Sequence, residues 1–189
     1  GKSGLVTTWS QLVHTSAPRT AVTNNPAMNT THPILSAFLE SQGAEARGLR
    51  SDVARLVPIG PAPHRYYVAE FRCTSVIRAP DGHIGPASGV YRAGIHFPDD
   101  YLRRAHAAQV VSWMEPLNIF HPNIAPPFVC IGRLVPGTKL IDLLFQIYEV
   151  VTFFKVTPRE DDALNKSACA WARANKRLFP VDRTPLRRP

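Results

Sequence analysis

One cysteine of the chain lies among residues that could assist it in chemistry. Cys130 follows the triplet His121-Pro122-Asn123, seven residues after Asn123, and Ile131 comes directly after it. A thiolate is a good nucleophile that forms thioesters, and an amide such as that of Asn123 can stabilise an oxyanion by hydrogen bonding. The pattern indicates acyl transfer through Cys130. The alternative is that Cys130 is a buried, inert thiol.

The other two cysteines are not expected to take part in the chemistry of Cys130. Cys73, Cys130 and Cys169 are an odd number of thiols at spacings of 57 and 39 residues. Those spacings fit neither a disulfide framework nor a zinc cluster, so we expect reduced thiols, no metal and no cofactor. Cys73 falls in a predicted strand and Cys169 in a predicted helix, where an inert buried thiol is the favoured interpretation.

The net charge of +8 is concentrated at the ends of the 189-residue chain. Residues 1–32 carry +2 and residues 166–189 carry +6, so the central part is neutral. A nucleic-acid-binding domain usually carries basic residues across one face of its fold, so we expect no nucleic-acid partner. The ends are interpreted as solvated tails or as a weak contact for an acidic partner.

Hydropathy predicts a protein that is neither inserted in a membrane nor exported. There is no apolar run of eighteen residues and no charged-then-apolar leader, so we expect a cytoplasmic protein with no membrane partner. A hydrophobic content of 44% is enough for one packed core.

Hydrophobic spacing predicts three helical regions around the candidate site. The first is expected from Pro33 to Val57, with Leu49, Val53 and Leu56 on its apolar face and Pro58 ending it. The second covers Leu140–Phe154, whose apolar face should pack on a sheet, and the third covers Ala163–Leu178 after an acidic triplet. Residues 1–32 are predicted to be an irregular extension and residues 179–189 a basic, Arg- and Pro-rich tail.

Between the helices, alternating apolar residues predict strands. Segments Tyr66–Val76, Gly89–Phe97 and Val110–Met114 are separated by short turns, which is typical of an antiparallel meander. A long proline-rich passage follows and contains Cys130. Together these elements predict an α+β domain over residues 33–178, in which an N-terminal helix and two C-terminal helices flank a meander of about four strands.

Four sequence blocks in this order resemble the ubiquitin-conjugating enzymes. These blocks are Gly89-Val90-Tyr91, Phe97-Pro98-Asp99-Asp100-Tyr101, the His-Pro-Asn triplet followed by Cys130, and Asp161-Asp162-Ala163-Leu164. The resemblance covers about residues 45–178 and implies the UBC fold. It also implies that Cys130 carries a ubiquitin-like protein as a thioester, received from an activating enzyme and passed to an amine.

The resemblance also implies roles for Asn123 and Asp162. The family's asparagine is assigned either to the oxyanion or to fixing its own loop, and both roles are open for Asn123. Asp162, with Asp161 second, matches an acidic residue that orients the attacking amine. The alternative is that an aspartate caps the following helix. His121 is expected to be structural.

Departures from the family pattern point to a divergent bacterial branch. Ile131-Gly132 replaces the common Leu-Asp after the cysteine, and Leu102-Arg103-Arg104 replaces a proline-rich ligase-docking loop. In that branch the resemblance implies an antiviral defence locus, with a ubiquitin-like protein, an activating enzyme and a metal-dependent deconjugating protease as partners. The alternatives are a non-catalytic UBC-fold module that presents a ubiquitin-like protein, and a cysteine hydrolase with His121 as its base.

Overall fold

The computed structural model describes residues 32–186, so the predicted extension at residues 1–32 lies outside the described residues except for His32. Four α-helices and six strands occur in this part of the chain. The helices are α1 (Pro33–Gly48), α2 (Ala107–Val110), α3 (Leu140–Val151) and α4 (Lys166–Ala174). The strands are β1 (Ala54–Ile59), β2 (Tyr66–Arg78), β3 (Ile84–His96), β4 (Val111–Glu115), β5 (Ile124–Ala125) and β6 (Phe128–Val129).

The prediction of an α+β domain with an antiparallel sheet is confirmed, but the sheet has six strands rather than about four. Their order is β1-β2-β3-β4-β6-β5, and every neighbouring pair is antiparallel. The three predicted strands correspond to β2, β3 and β4. The two-residue strands β5 and β6 lie inside the proline-rich passage, where they are too short to leave an alternating pattern.

The first helix is shorter than predicted, and its expected second half is strand β1. The α1 helix ends at Gly48, and Leu56 pairs with Ala69 of β2. Pro58 lies within β1 rather than terminating a helix. A proline is tolerated there because β1 is at the edge of the sheet and has a partner on one side only. The apolar spacing that predicted a helix to Val57 was ambiguous between the two structures.

Helix α3 covers one face of the sheet, as its pattern predicted. Its six predicted core residues are all buried: Leu140, Leu143, Leu144, Ile147, Val150 and Val151. Two side chains fix its ends: Gln42 of α1 accepts a 2.7 Å bond from the Leu140 N–H, and Ser75 of β2 donates a 2.6 Å bond to the Val151 carbonyl. The helix therefore has a fixed position relative to both α1 and the sheet.

Helix α3 ends at Val151, three residues before the predicted boundary. Phe153 has a φ of 60°, a left-handed conformation that side chains other than glycine adopt at a cost. Its ring is nevertheless buried, 4.1 Å from the His121 ring and 5.0 Å from that of Phe179. Burial of an aromatic ring contributes more than this backbone cost, so the chain turns sharply here towards the Cys130 region.

The third helix, predicted over Ala163–Leu178, is shorter: α4 covers Lys166–Ala174, and a 3-10 turn follows at Lys176–Leu178. Residues Glu160–Asp162 form a separate 3-10 turn, and α4 begins only at Lys166, after Asn165. The Asn165 side chain accepts a 3.0 Å bond from the Ala168 N–H, so Asn165 is the N-cap, a role that was considered for Asp162. The acidic triplet therefore does not occupy the first turn of the helix.

Part of the basic C-terminal segment packs on the domain. Leu186 is buried in the main core, and Asp182 accepts a 3.0 Å bond from the Tyr148 hydroxyl of α3. The pKa of Tyr148 is raised, mainly by burial of its hydroxyl group and to a smaller extent by the hydrogen bond to Asp182. Across residues 32–186, no helix combines the length and apolar character needed to cross a membrane.

Glu70 joins three strands through charge pairs on the sheet. Its side chain, 13% exposed, accepts bonds of 2.9 Å from Arg55 of β1 and 2.9 Å from Arg92 of β3, and Arg92 also pairs with Glu115 of β4. The hydrogen bonds from Arg92 and then Arg55 lower the pKa of Glu70. A carboxylate shared by two guanidinium groups stabilises the registers on both sides of β2.

We predict that Glu70→Gln lowers the free energy of unfolding by about 1 kcal/mol at pH 7. Because the pKa of Glu70 is lowered on folding, its contribution is present above its ordinary value of 4.5 and is lost as the pH falls through the folded-state pKa. Denaturant unfolding of both proteins from pH 7 to pH 3 should show the difference shrinking below pH 4.5. Glu40→Gln, an exposed change on α1, is the control, and an equal loss there would contradict the assignment.

Candidate active site

The hairpin formed by β5 and β6 brings Asn123 and Cys130 together. Ile124 pairs with Val129, and Ala125 pairs with Phe128, so the residues just outside the two strands face each other. The Cys130 N–H donates to the Asn123 carbonyl at 2.8 Å, and the Asn123 side-chain Nδ2 donates to the Cys130 carbonyl at 3.0 Å. The seven-residue spacing in the sequence is therefore the length of this hairpin.

Cys130 is the accessible thiol of the three. It is partly exposed, whereas the residues on either side, Val129 and Ile131, are buried. Cys73 and Cys169 are buried, and burial together with Asp182 raises the pKa of Cys73 to about 12. A thiol between two anchored neighbours is held at the surface and can meet another macromolecule.

Both polar atoms of the Asn123 side-chain amide, Nδ2 and Oδ1, are hydrogen-bonded to the backbone. Besides the Nδ2 bond to the Cys130 carbonyl, its Oδ1 accepts a 2.8 Å bond from the Thr157 N–H. The side chain is deeply buried, because Asn123 is only 3% exposed. In this arrangement Asn123 fixes the loop, which is one of the two roles that were open for it.

His121 is a structural residue of the same loop. Its ring is completely buried against Phe153, and Nδ1 accepts a 2.9 Å bond from the Asn123 N–H. Burial lowers the pKa of His121 to about 3, and the Val150 carbonyl offsets only part of this effect. An imidazole that is buried, neutral and already bonded at Nδ1 is poorly placed to act as the base of a cysteine hydrolase.

A second segment, Phe153–Thr157 after α3, holds the Cys130 hairpin from the other side. Thr157 binds Asn123, as described, and the Lys155 ammonium donates a 2.6 Å bond to the Ile131 carbonyl, directly after Cys130. The Lys155 N–H is itself bonded to Glu149 of α3 at 2.9 Å. Sequence reasoning missed both residues because they lie more than twenty positions after Cys130 and belong to no motif.

Near Cys130 in the sequence, Gly132 is the residue that accommodates the Lys155 side chain. Its φ of +94° lies in the region that glycine tolerates, and a Cβ at this position would lie 2.8 Å from the Lys155 Nζ. Glycine at this position therefore leaves the space that the ammonium occupies.

Asp162 lies in an exposed turn whose two flanks are bonded to the hairpin. Thr157 precedes the turn and binds Asn123, while the Asn165 N–H after the turn donates to the Pro122 carbonyl at 3.1 Å. The Asp162 side chain is 65% exposed and lies 3.8 Å from the Arg159 guanidinium. Asp161 also faces Arg159, at 3.9 Å, and Glu160 pairs with Arg173.

The arrangement provides a nucleophile on a fixed support, without an adjacent neutral histidine free to activate water. Among residues 32–186, no three His, Cys, Asp or Glu side chains are grouped so that they could hold a metal ion. No protein-family model matches the chain, and no curated protein matches it either.

We predict that Asn123→Ala lowers the free energy of unfolding by about 2 kcal/mol, because it leaves the partly buried Thr157 N–H without its acceptor. Alkylation of Cys130 by iodoacetamide should become faster, since the hairpin loses its tie to Thr157. Denaturant unfolding and intact-mass kinetics measure the two effects. Asn118→Ala, which removes an exposed amide bonded to the Arg78 carbonyl, is the matched control. Equal effects in both variants would contradict the role of Asn123.

His121 should make the protein less stable in weak acid. Its pKa is lower in the folded state than its ordinary value of 6.5, so the unfolded chain binds the proton first and stability falls as the pH drops below 6.5. From pH 7 to pH 5 this costs about 2 kcal/mol. We predict that His121→Asn, measured by urea unfolding at both pH values, loses less stability over this interval than the unchanged protein. His83→Asn, at an exposed position, should retain the full loss, and identical losses in all three proteins would refute the assignment.

Proposed function

We propose that this protein is a ubiquitin-conjugating-type transferase. Cys130 accepts the C-terminal carboxyl group of a ubiquitin-like protein from an activating enzyme and then passes it to an amine. The observation that carries this proposal is a partly exposed thiol on a hairpin whose backbone is bonded to Asn123 and Lys155. The ordered sequence blocks that resemble the family support the same conclusion.

The surroundings of Cys130 suit an acyl carrier better than a hydrolase. A carrier must keep its thioester intact until the correct amine arrives, so a base that activates water would work against it. The nearby imidazole of His121 is buried and bonded to the Asn123 N–H, which removes it from this role. The partly exposed position of Cys130 also makes the thiol accessible to the tail of another protein.

Both steps are exchanges at one carbonyl carbon. In the first, the Cys130 thiolate attacks the thioester of the activating enzyme, a new C–S bond forms, and the enzyme's thiolate leaves. In the second, a neutral amine attacks the Cys130 thioester, the C–N bond forms, and the Cys130 thiolate leaves while the nitrogen loses a proton.

Asp162 is proposed to assist the second step. Its carboxylate is exposed, on a turn tied to the hairpin through Thr157 and Asn165. An exposed carboxylate can attract an incoming ammonium group and accept its proton. The charge of Asp162 is shared with Arg159 at 3.8 Å, and an acceptor amine would compete with this exposed pair.

The resemblance to the divergent bacterial branch supports the proposal that this reaction belongs to a conjugation system of antiviral defence. The expected partners are a ubiquitin-like protein, its activating enzyme and a deconjugating protease. The alternative of a non-catalytic module that only presents a ubiquitin-like protein requires no accessible thiol, and Cys130 is accessible.

Reconstitution with the activating enzyme, ATP and the ubiquitin-like protein tests the proposal. We expect an adduct that thiol reagents cleave, that Cys130→Ala abolishes and that Cys130→Ser converts into a thiol-resistant ester. Cys73→Ala and Cys169→Ala are controls that should still form the thioester. Binding of the ubiquitin-like protein without any Cys130-dependent adduct would identify a presenting module and overturn the transferase.

Asp162→Asn should separate the two steps. We expect thioester formation to be unchanged and discharge to free lysine to fall about tenfold, less than the usual effect of losing a positioned acid–base group, because Asp162 is exposed to solvent. Single-turnover discharge, followed by gel after the activating enzyme is quenched, measures this. Asp81→Asn is the control, and unchanged discharge in Asp162→Asn would remove Asp162 from the mechanism.

A further inference from the structure

The proposed reaction places negative charge on the thioester carbonyl oxygen, and Asn123 is not free to stabilise it. Its Nδ2 donates to the Cys130 carbonyl, its Oδ1 accepts from Thr157, and the residue is 3% exposed. An oxyanion donor must reach the position that the oxygen of the substrate will occupy. The Asn123 amide is buried and one of its two Nδ2 hydrogens already binds the Cys130 carbonyl, so it is poorly placed to reach a substrate at the surface.

Lys155 meets this condition better. It is an exposed residue, and its Nζ lies 2.6 Å from the carbonyl of Ile131, next to Cys130 in the chain. Among residues 32–186, the Ile131 carbonyl is the one hydrogen-bond partner of the Lys155 ammonium, so two of its three N–H groups remain for a substrate. No carboxylate in this part of the chain forms a salt bridge with it.

The fold fixes this ammonium in its position. The Lys155 N–H is bonded to Glu149 at the end of α3, and the left-handed Phe153 turns the chain towards the hairpin. Gly132 leaves room for the ammonium beside Ile131, since a Cβ at position 132 would lie 2.8 Å from Nζ. A charge held in advance costs little reorganisation when the reaction occurs.

The geometry points to Lys155, rather than Asn123, as the residue that places a positively charged donor beside the Cys130 thioester. This inference rests on the proposed function. When the amine attacks, the carbonyl π electrons move to oxygen and the Lys155 ammonium stabilises the resulting oxyanion. The C=O bond then reforms, the C–S bond breaks, and Lys155 keeps its protons throughout.

A synthetic peptide thioester with a C-terminal glycine tests this role without the natural partners. The full chain is first loaded at Cys130 by thiol exchange, and discharge to free lysine is then followed by intact mass. We expect Lys155→Met to load but to discharge about 10- to 100-fold more slowly, and Lys155→Arg to recover much of the rate because it keeps the charge. Lys166→Met, another exposed lysine near the hairpin, should discharge normally.

The outcomes separate the two proposals. If the unchanged protein does not load at Cys130, the proposed function fails. If it loads and Lys155→Met discharges at the normal rate, only the role of Lys155 is overturned. Transfer of the peptide onto Lys155 itself, seen as a hydroxylamine-resistant adduct, would also overturn it, because Lys155 would then be an acceptor.

A second measurement distinguishes an electrostatic role of the Lys155 ammonium from a purely structural role in holding the Cys130 hairpin. The rate of Cys130 alkylation is compared for iodoacetate, which is negatively charged, and iodoacetamide, which is neutral, at low ionic strength. A nearby cation favours the anionic reagent, so Lys155→Met should lower the iodoacetate-to-iodoacetamide ratio and Lys155→Arg should preserve it. A ratio that is the same in all three proteins would overturn the assignment, even if both rates change.

Discussion

The side-chain amide of Asn123 is the interaction on which the candidate site depends. The amide joins two parts of the chain, the hairpin that ends at Cys130 and the segment after α3 that contains Thr157, and the backbone N–H of the same residue bonds to His121. Because the amide is buried and bonded at both Nδ2 and Oδ1, losing either partner would leave a polar group without a hydrogen bond. The position of the thiol is therefore set by hydrogen bonds that lie beneath the surface, while the thiol itself remains accessible.

The apolar packing below the hairpin also helps to fix the position of the Cys130 thiol. His121 lies against Phe153, whose ring belongs to a small cluster with Val76, Phe120 and Ala168. This cluster is separate from the main core between α3 and the sheet. The Cys130 region thus has its own apolar support, which explains why a left-handed backbone is tolerated at Phe153.

The predictable part of the structure was the part encoded by local patterns. The six apolar residues of α3 predicted its buried face because helical periodicity relates residues that are close in sequence. The same logic was wrong after Gly48: Leu49 is the C-cap of α1, Val53 precedes β1, and Leu56 pairs with Ala69 of β2. Lys155 could not be predicted, because its contact with Ile131 depends on how α3 crosses the sheet. The helix cap was misplaced for a similar reason: Asp162 and Asn165 are both good caps, and only the path of the chain selects Asn165.

The buried side chain of Leu186 changes the physical meaning of the basic C-terminal residues. A charged tail that moves freely attracts an acidic partner from every direction and loses conformational entropy when it is captured. Here the chain between Phe179 and Leu186 is anchored at both ends, so Arg183 has a fixed place on the surface. The electrostatic attraction of Arg183 therefore depends on direction, and it would orient an approaching acidic protein as well as attract it.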